Sequence, residues 1–319
     1  MRLFRRRSAK PAIDPAMGDP AARLVYDALA RRDWPTARDA LTSVTDPDDH
    51  AFCVSVAAEV PGVQDWIEEW ITAEPDSTLP VLVRGTHAVR WAWEARGTAR
   101  AAYTSQDQFR EFHKRLKFAE NCLDEVVERD PDDTTGRMYL VLSARGRQVD
   151  RAEVRRRFDE VIARHPYHRL AHEHMLQYRC QKWSGSHEEM FTFARESAAK
   201  APAGSSLGEL IAVAHIERWL GLPSPEDADY MKTSAVVAEL NAAADRSIRH
   251  PDFQRQSGWP VLHNLFAFAF ALAGDHRSAL EQFDVVGDQV TEWPWQYLNG
   301  RDPAGRFVRA RAAIAAATR

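Results

Sequence analysis

The segment Phe118-Ala-Glu-Asn-Cys122-Leu123-Asp-Glu-Val126-Val127-Glu-Arg129-Asp-Pro131 sets the reading of the chain. Its apolar residues, Phe118, Cys122, Leu123, Val126 and Val127, fall on one stripe of a 3.6-residue period. That spacing predicts an amphipathic helix with the stripe turned inward. Pro131 has no amide to donate and its ring blocks the next turn, so it closes the helix; Arg129 just before it suits the negative end of the helix dipole. The same signals recur. Val154, Phe158, Val161 and Ile162 repeat the stripe between Asp150 and Arg164, and Ala279, Leu280, Phe283 and Val286 repeat it after Asp275. Basic residues precede proline again at Ala163-Arg-His-Pro166, Ala199-Lys-Ala-Pro202 and Ile248-Arg-His-Pro251. Helix starts are predicted at Ser105 with Gln108, Ser186 with Glu189, and Ser224 with Pro225 and Asp227, each serine cap contributing about 1 kcal/mol. Val81-Leu82-Val83 is the one strand candidate, and Pro80 could equally open a helix there. The chain reads as all-α.

The stops are periodic: Pro131 to Pro166 is 35 residues and Pro166 to Pro202 is 36, each interval holding two helical patterns. A helix pair of this size cannot bury its apolar face alone, so neighbours must stack. Six or seven antiparallel pairs follow, at about 20–45, 49–74, 78–130, 132–165, 168–201, 205–250 and 259–290. The expected organisation is a disordered basic arm over 1–19, a superhelical array (an α-solenoid) over 20–302, and a capping helix over 303–319. In that last helix Phe307, Ala310 and Ile314 are expected inward, and Arg306, Arg309 and Arg311 in water. No Gly/Ser linker divides the chain, which favours one continuous array over two domains.

Near the C-terminus, Phe270-Ala-Leu-Ala-Gly274-Asp-His-Arg-Ser-Ala279-Leu-Glu-Gln-Phe283 resembles the tetratricopeptide repeat, whose unit is about 34 residues. It carries that family's aromatic residue, a glycine at the turn, a small residue where the helices cross, and Phe283 on the second helix. A second copy lies at Leu24-Val-Tyr-Asp-Ala28 followed by Asp33-Trp-Pro-Thr-Ala37-Arg-Asp-Ala-Leu41. The resemblance covers most of the chain as architecture and these two places as motif; a related helical-hairpin array fits the same spacing. Lys182-Trp183-Ser184-Gly185-Ser186-His187-Glu188-Glu189-Met190 is similar to a signature of an uncharacterised bacterial family of helical-repeat proteins. That likeness implies fold and no activity.

Composition narrows the classes. Of 319 residues, 45% are hydrophobic and 28% charged, too apolar for a disordered chain. Forty-two Lys and Arg against forty-six Asp and Glu leave a net charge of −4, which argues against wholesale binding to nucleic acid. Three scattered cysteines, Cys53, Cys122 and Cys180, with no C-x-x-C spacing, exclude a fully paired disulfide scaffold and a cysteine zinc finger. The basic start, with Pro11, Asp14 and Pro15 where an apolar region would be needed, does not read as an export signal. The longest apolar run, Leu265 to Ala273, is about half of what spans a bilayer. The expectation is a soluble, cytoplasmic protein.

Neither a G-x-x-x-x-G-K-[ST] loop nor a G-x-G-x-x-G turn occurs. Gly204-Ser205-Ser206-Leu207-Gly208 matches G-x-S-x-G literally, but a helix ending at Pro202 precedes it instead of the strand a nucleophile elbow needs, so a serine there caps the next helix. His165-Pro-Tyr-His168-Arg-Leu-Ala-His172-Glu-His174 is the densest cluster. His168 and His172 share a helical face and could offer two imidazoles to a zinc-like ion, while Glu173 or His174 would point too far around to complete the site. The competing reading has His165 at a helix end and His168 at the next helix start. Arg151, Arg155, Arg156 and Arg157 read as a solvated face, with Glu153–Arg157 and Arg156–Glu160 as surface pairs. Among ten tryptophans, Trp183 is expected to pack at a turn and Trp293-Pro-Trp295 to seal the last hairpin.

These readings converge on a non-catalytic protein- or peptide-binding scaffold without a cofactor. Its concave surface would be lined largely by the first helix of each pair. The candidate groove residues are Arg145, His174, Tyr178, Lys182, His215, Arg218, Trp219, His263 and Asn264, a mixture suited to an acidic or carboxylate-ended peptide. The alternatives are a metal-dependent enzyme, with His168 and His172 holding the ion and Glu188 or Glu189 as general base, and a structural role in a homo-oligomer.

Overall fold

The computed structural model describes residues 10–97, 104–298 and 301–318, which form sixteen α-helices and no strand among the described residues. They gather into two compact units.

The first unit comprises Asp19–Ala201 together with Arg255–Ser257. It contains α1 (Pro20–Ala30), α2 (Trp34–Ser43), α3 (Pro47–Ala58), α4 (Ile67–Ala73), α5 (Leu79–Arg96), α6 (Gln106–Arg129), α7 (Thr134–Arg147), α8 (Arg151–Arg164), α9 (Arg169–Tyr178) and α10 (His187–Lys200). The helix starts are dominated by aspartate: Asp19, Asp33, Asp46, Asp133 and Asp150 each accept from an amide of the first turn. Carboxylates there both satisfy orphan N–H groups and meet the positive end of the dipole. Ser105 forms the full reciprocal box with Gln108, and Ser186 accepts from the Glu189 amide. Val81-Leu82-Val83 lies inside α5, with Pro80 in its first turn.

Consecutive helices pack on one another, α1 on α2, α5 along α6, α6 on α7, and α7 on α8. The first helices also touch one another in order, α1 with α3, α3 with α5, α5 with α7, and α7 with α9; α3 reaches α7 and α9 as well. On α6 the inner stripe is Phe112, Leu116, Ala119, Leu123 and Val126, spaced alternately four and three. Phe118, expected inward, falls off that stripe and is 44% exposed, lying under the Arg84 guanidinium. The arginines of α8 are not all solvated as expected. Arg157 pairs with Glu153 and also turns inward to Glu120, a buried carboxylate that Ser143 and Arg147 also satisfy. A distant segment completes this unit: the Ser257 hydroxyl donates to Asp19 (2.6 Å), its amide donates to Asp49 (2.7 Å), and Gln256 reaches Asp46.

The second unit holds the residues up to Gly18, Pro202–Gln254 and Gly258–Arg319. Its helices are α11 (Glu209–Leu220), α12 (Glu226–Met231), α13 (Ser234–Arg246), α14 (Trp259–Ala273), α15 (His276–Val286) and α16 (Pro303–Ala317). α14 is buried on nearly every side and packs against α11, α12, α13 and α15. Trp295 is enclosed by Phe268, Phe283 and Phe307, with ring centroids 5.3–5.7 Å away. Its indole N–H donates to Asn264 Oδ1, and Asn264 Nδ2 donates to the carbonyls of Pro260 and Gln289. Gly274 ends α14 at φ +74°, the left-handed conformation that a Cβ disfavours.

Several local expectations are corrected here. Ser224 does not cap α12, which starts at Glu226 with Pro225 at the cap position and no side-chain bond. α13 stops at Arg246, just before Ile248-Arg-His-Pro251: Ser247 leaves helical geometry there, and its buried hydroxyl donates to the Ala243 carbonyl. On α16, Phe307 and Ile314 are buried, but Arg311 is folded over the Phe307 ring and donates to the Gly287 carbonyl instead of standing in water. Residues 10–18, expected within the disordered arm, form a turn in which Asp14 accepts from the amides of Ala16 and Gly18, and Lys10 pairs with Asp302. The remainder of that arm lies outside the described residues.

Truncating Asn264 to Ala strands the buried Trp295 donor without an acceptor. The expected loss is about 2–3 kcal/mol of stability, read as a lower urea midpoint for the unfolding of this unit.

Candidate functional site

α9 ends at Tyr178, and the chain turns through Arg179–Ser186 before α10. The Trp183 and Gly185 amides donate to the Cys180 carbonyl, and the Ser184 amide to the Tyr178 carbonyl. A Cβ built on Gly185 would lie 1.9 Å from the Arg179 carbonyl oxygen, so only glycine allows this turn to close. The turn holds the first part of the Lys182–Met190 segment and has chemistry on both sides of it.

One feature is a guanidinium–indole cluster. The Trp183 ring meets Trp93 of α5 edge-on at 6.0 Å, and Trp93 meets Phe112 at 4.9 Å. The Arg145 guanidinium lies 5.6 Å from the Trp93 ring and 5.5 Å from the Trp183 ring, and Arg96 lies 5.6 Å from Trp93. Both indole N–H groups are buried without an acceptor among the described residues. His174 is half-buried nearby; burial first, then the positive charges of Arg145 and Arg169, hold it far below the usual histidine range, so it is neutral.

The other feature is a pocket of about 250 Å³. Its floor is Val154, Met175 and the Tyr178 ring, all buried, and its rim carries Arg151, Arg155, Arg179, Ser184 and Glu189. Arg151 is paired with Glu189 at 2.5 Å, and its second nitrogen donates to the Ser184 carbonyl. Arg155 gives its Nε–H to both Asp159 oxygens at 2.8 Å. Arg179 stacks over the Phe193 ring at 4.6 Å, and among the described residues its guanidinium makes no hydrogen bond or ion pair. Burial, with Arg155 and Arg151 close by, holds it below the ordinary arginine value.

Of the nine groove candidates, Arg145, His174, Tyr178 and Lys182 belong to this part of the first unit. Tyr178 is buried and its hydroxyl donates to the Val149 carbonyl (2.7 Å), so only its ring carbons face the pocket. Lys182 is exposed. The other five lie in the second unit, and three of them are interior. His215 accepts from the Tyr230 hydroxyl and donates to Glu239, His263 donates to Gln282, and Asn264 holds Trp295. These three side chains are therefore turned to the protein and not to a groove. Arg218 and Trp219 are half-buried, with Trp219 edge-on to Phe268.

The histidine cluster is tied to α3. Asp48 accepts from His165 Nε2 (3.0 Å) and from the Arg169 amide (2.8 Å), and His168 Nδ1 lies 3.3 Å from it. His168 is the N-cap of α9, its Nδ1 accepting from the Ala171 amide, and His172 donates from Nδ1 to the His168 carbonyl. One nitrogen of each proposed metal ligand is thus already engaged. Among the described residues no group of three or more His, Cys, Asp or Glu is placed to hold a metal ion. Ser205, the residue beside the G-x-S-x-G serine, caps a short 3-10 turn.

Neither a scan of protein-family models nor a search of curated proteins finds a match for the chain. No helix among the described residues is long and apolar enough to cross a membrane.

Burial pushes His168 down to about 4, and it lowers His50 and His172 too. A base with a depressed folded pKa stabilises the fold above its unfolded pKa near 6.5 and loses that contribution as pH falls toward the folded value. For His168 the loss is on the order of 3 kcal/mol between pH 6.5 and 4. His165, raised by Asp48, and Asp133, raised to about 6 by burial, work the other way. The His168→Asn variant keeps a capping side chain but cannot titrate. Its melting temperature should therefore fall less steeply than the parent's between pH 6.5 and 4, as followed by circular dichroism.

Proposed function

We propose that the chain is a non-catalytic, cytoplasmic binding module of the tetratricopeptide-like kind, which takes an acidic protein or peptide segment against the first helices of its repeats. The observation that carries this reading is Arg145 held against two indole rings, Trp93 from α5 and Trp183 from the turn after α9. An arginine fixed in this way has lost much of its side-chain freedom in advance and can meet a carboxylate with little further ordering. Aromatic rings supply area while the guanidinium supplies direction, the combination common at binding hot spots. His174, neutral beside Arg145, adds a hydrogen-bonding group without adding to the charge. The order of contacts among α1, α3, α5, α7 and α9 in the first unit suits a stacked array, and the three cysteines are buried and in no disulfide, which suits a reducing compartment.

The test is an anisotropy titration of the full chain with a labelled octapeptide of alternating Glu and Ala, against its Gln–Ala counterpart. The acidic peptide should bind more tightly, and Arg145→Gln should weaken it about tenfold or more, the size of one lost charge-assisted contact. Equal affinity for the two peptides, or indifference to Arg145→Gln, would overturn the proposal.

A further inference from the structure

The rim of the 250 Å³ pocket carries guanidinium edges that no carboxylate contacts among the described residues. Arg151 is matched by Glu189, and Arg155 by Asp159 through Nε alone, which leaves both Arg155 Nη groups without an acceptor among the described residues. Arg179 has no carboxylate partner there. Arg179 is therefore left without a contacting carboxylate: Glu189 and Glu196 act on it only at longer range, against the positive charges of Arg155 and Arg151. Phe193 covers one face of the Arg179 guanidinium, so its N–H edges are the part left to a ligand. Below them, Val154, Met175 and the Tyr178 ring present carbon only, because the Tyr178 hydroxyl is held by Val149. The volume is below the roughly 300–1,000 Å³ of drug-sized sites and matches a short branched or aryl group.

We propose that this pocket binds an organic carboxylate with an apolar body, the carboxylate bridging Arg179 and the Arg155 Nη groups while the body rests on Val154, Met175 and Tyr178. A carboxylate supplies the contacting negative charge that Arg179 lacks and the planar pair of acceptors that a guanidinium edge matches. The site is separate from the Arg145 cluster, and its existence does not depend on the peptide-binding reading. The same chemistry is presented by a free organic acid and by the end of a peptide.

Isothermal titration of the full chain with 4-methylpentanoate, its neutral amide and acetate separates the parts of the claim. The acid should bind at least tenfold more tightly than the amide, which lacks the charge, and than acetate, which lacks the body. Arg179→Gln should remove the preference for acid over amide. Arg155→Gln should weaken the acid severalfold, and Arg179→Lys should retain part of the affinity. Arg145→Gln should leave 4-methylpentanoate binding unchanged, so failure of the peptide-binding reading and failure of this one are distinguishable. Unchanged melting temperature and helical circular dichroism establish that each variant is folded; Arg179→Lys keeps the test open should Arg179→Gln not fold. N-acetyl-glycyl-leucine binding as tightly as the free acid assigns the carboxylate to a peptide end, and binding of the free acid alone assigns it to a small metabolite. Absence of saturable acid binding at 20 mM, equal affinity for acid and amide, or an acid affinity unmoved by Arg179→Gln would refute the site.

Discussion

Two helices joined by a short turn can hide only the flank each offers the other. The remaining apolar side has to be covered by a neighbour or remain in water at roughly 25 cal/mol for each Å². That constraint runs through the first unit. α5 and α6 lie along each other, and α5 still needs α3 on one side and α7 on another. The buried surfaces of Leu82, Val83, Leu116 and Leu123 are therefore shared between pairs instead of belonging to one hairpin. The polar contacts follow the packing. Asp48, at the start of α3, reaches the turn between α8 and α9 across more than a hundred residues of sequence.

How much of this could be read beforehand depends on how local the signal is. The all-helical character was legible because proline stops and 3.6-residue stripes act within a single element, whereas the 205–250 stretch, read as one pair, holds the three helices α11, α12 and α13. The weaker points are those where the deciding partner is remote. Phe118 fits an apolar stripe by spacing, but the stripe that faces α5 runs through Leu116, Ala119 and Leu123, and only packing chooses between them. Arg157 fits a surface pair with Glu153, yet the buried Glu120 draws it inward. The aspartate caps were legible in principle, since Asp19 and Asp46 each precede a proline at a first helical position, a signal as local as any serine cap.

The candidate site divides in the same way. Arg145, His174, Tyr178 and Lys182 fall in the stretch of the first unit that carries the candidate site, although Tyr178 offers its ring alone. His263 and Asn264 are polar residues on a helix that turns out to be enclosed on nearly every side, so their polarity answers Gln282 and Trp295. Arg179 left a faint mark in the sequence: no acidic residue stands three or four positions from it, unlike Arg155 with Asp159. Its neighbours across the pocket come from α8, and nothing local announces them.

The excursion of Arg255–Ser257 has a consequence for how the protein can be divided. Two of these residues, Gln256 and Ser257, cover the carboxylates at the starts of α1 and α3, although more than fifty residues of the second unit separate them from Ala201. A fragment cut after Ala201 would keep every helix of the first unit and lose the hydroxyl and amide that bind Asp19 and Asp49. The two units are thus not separable lengths of chain: a clean dissection would need the Gln256–Ser257 contact supplied in trans, or grafted by a new connection.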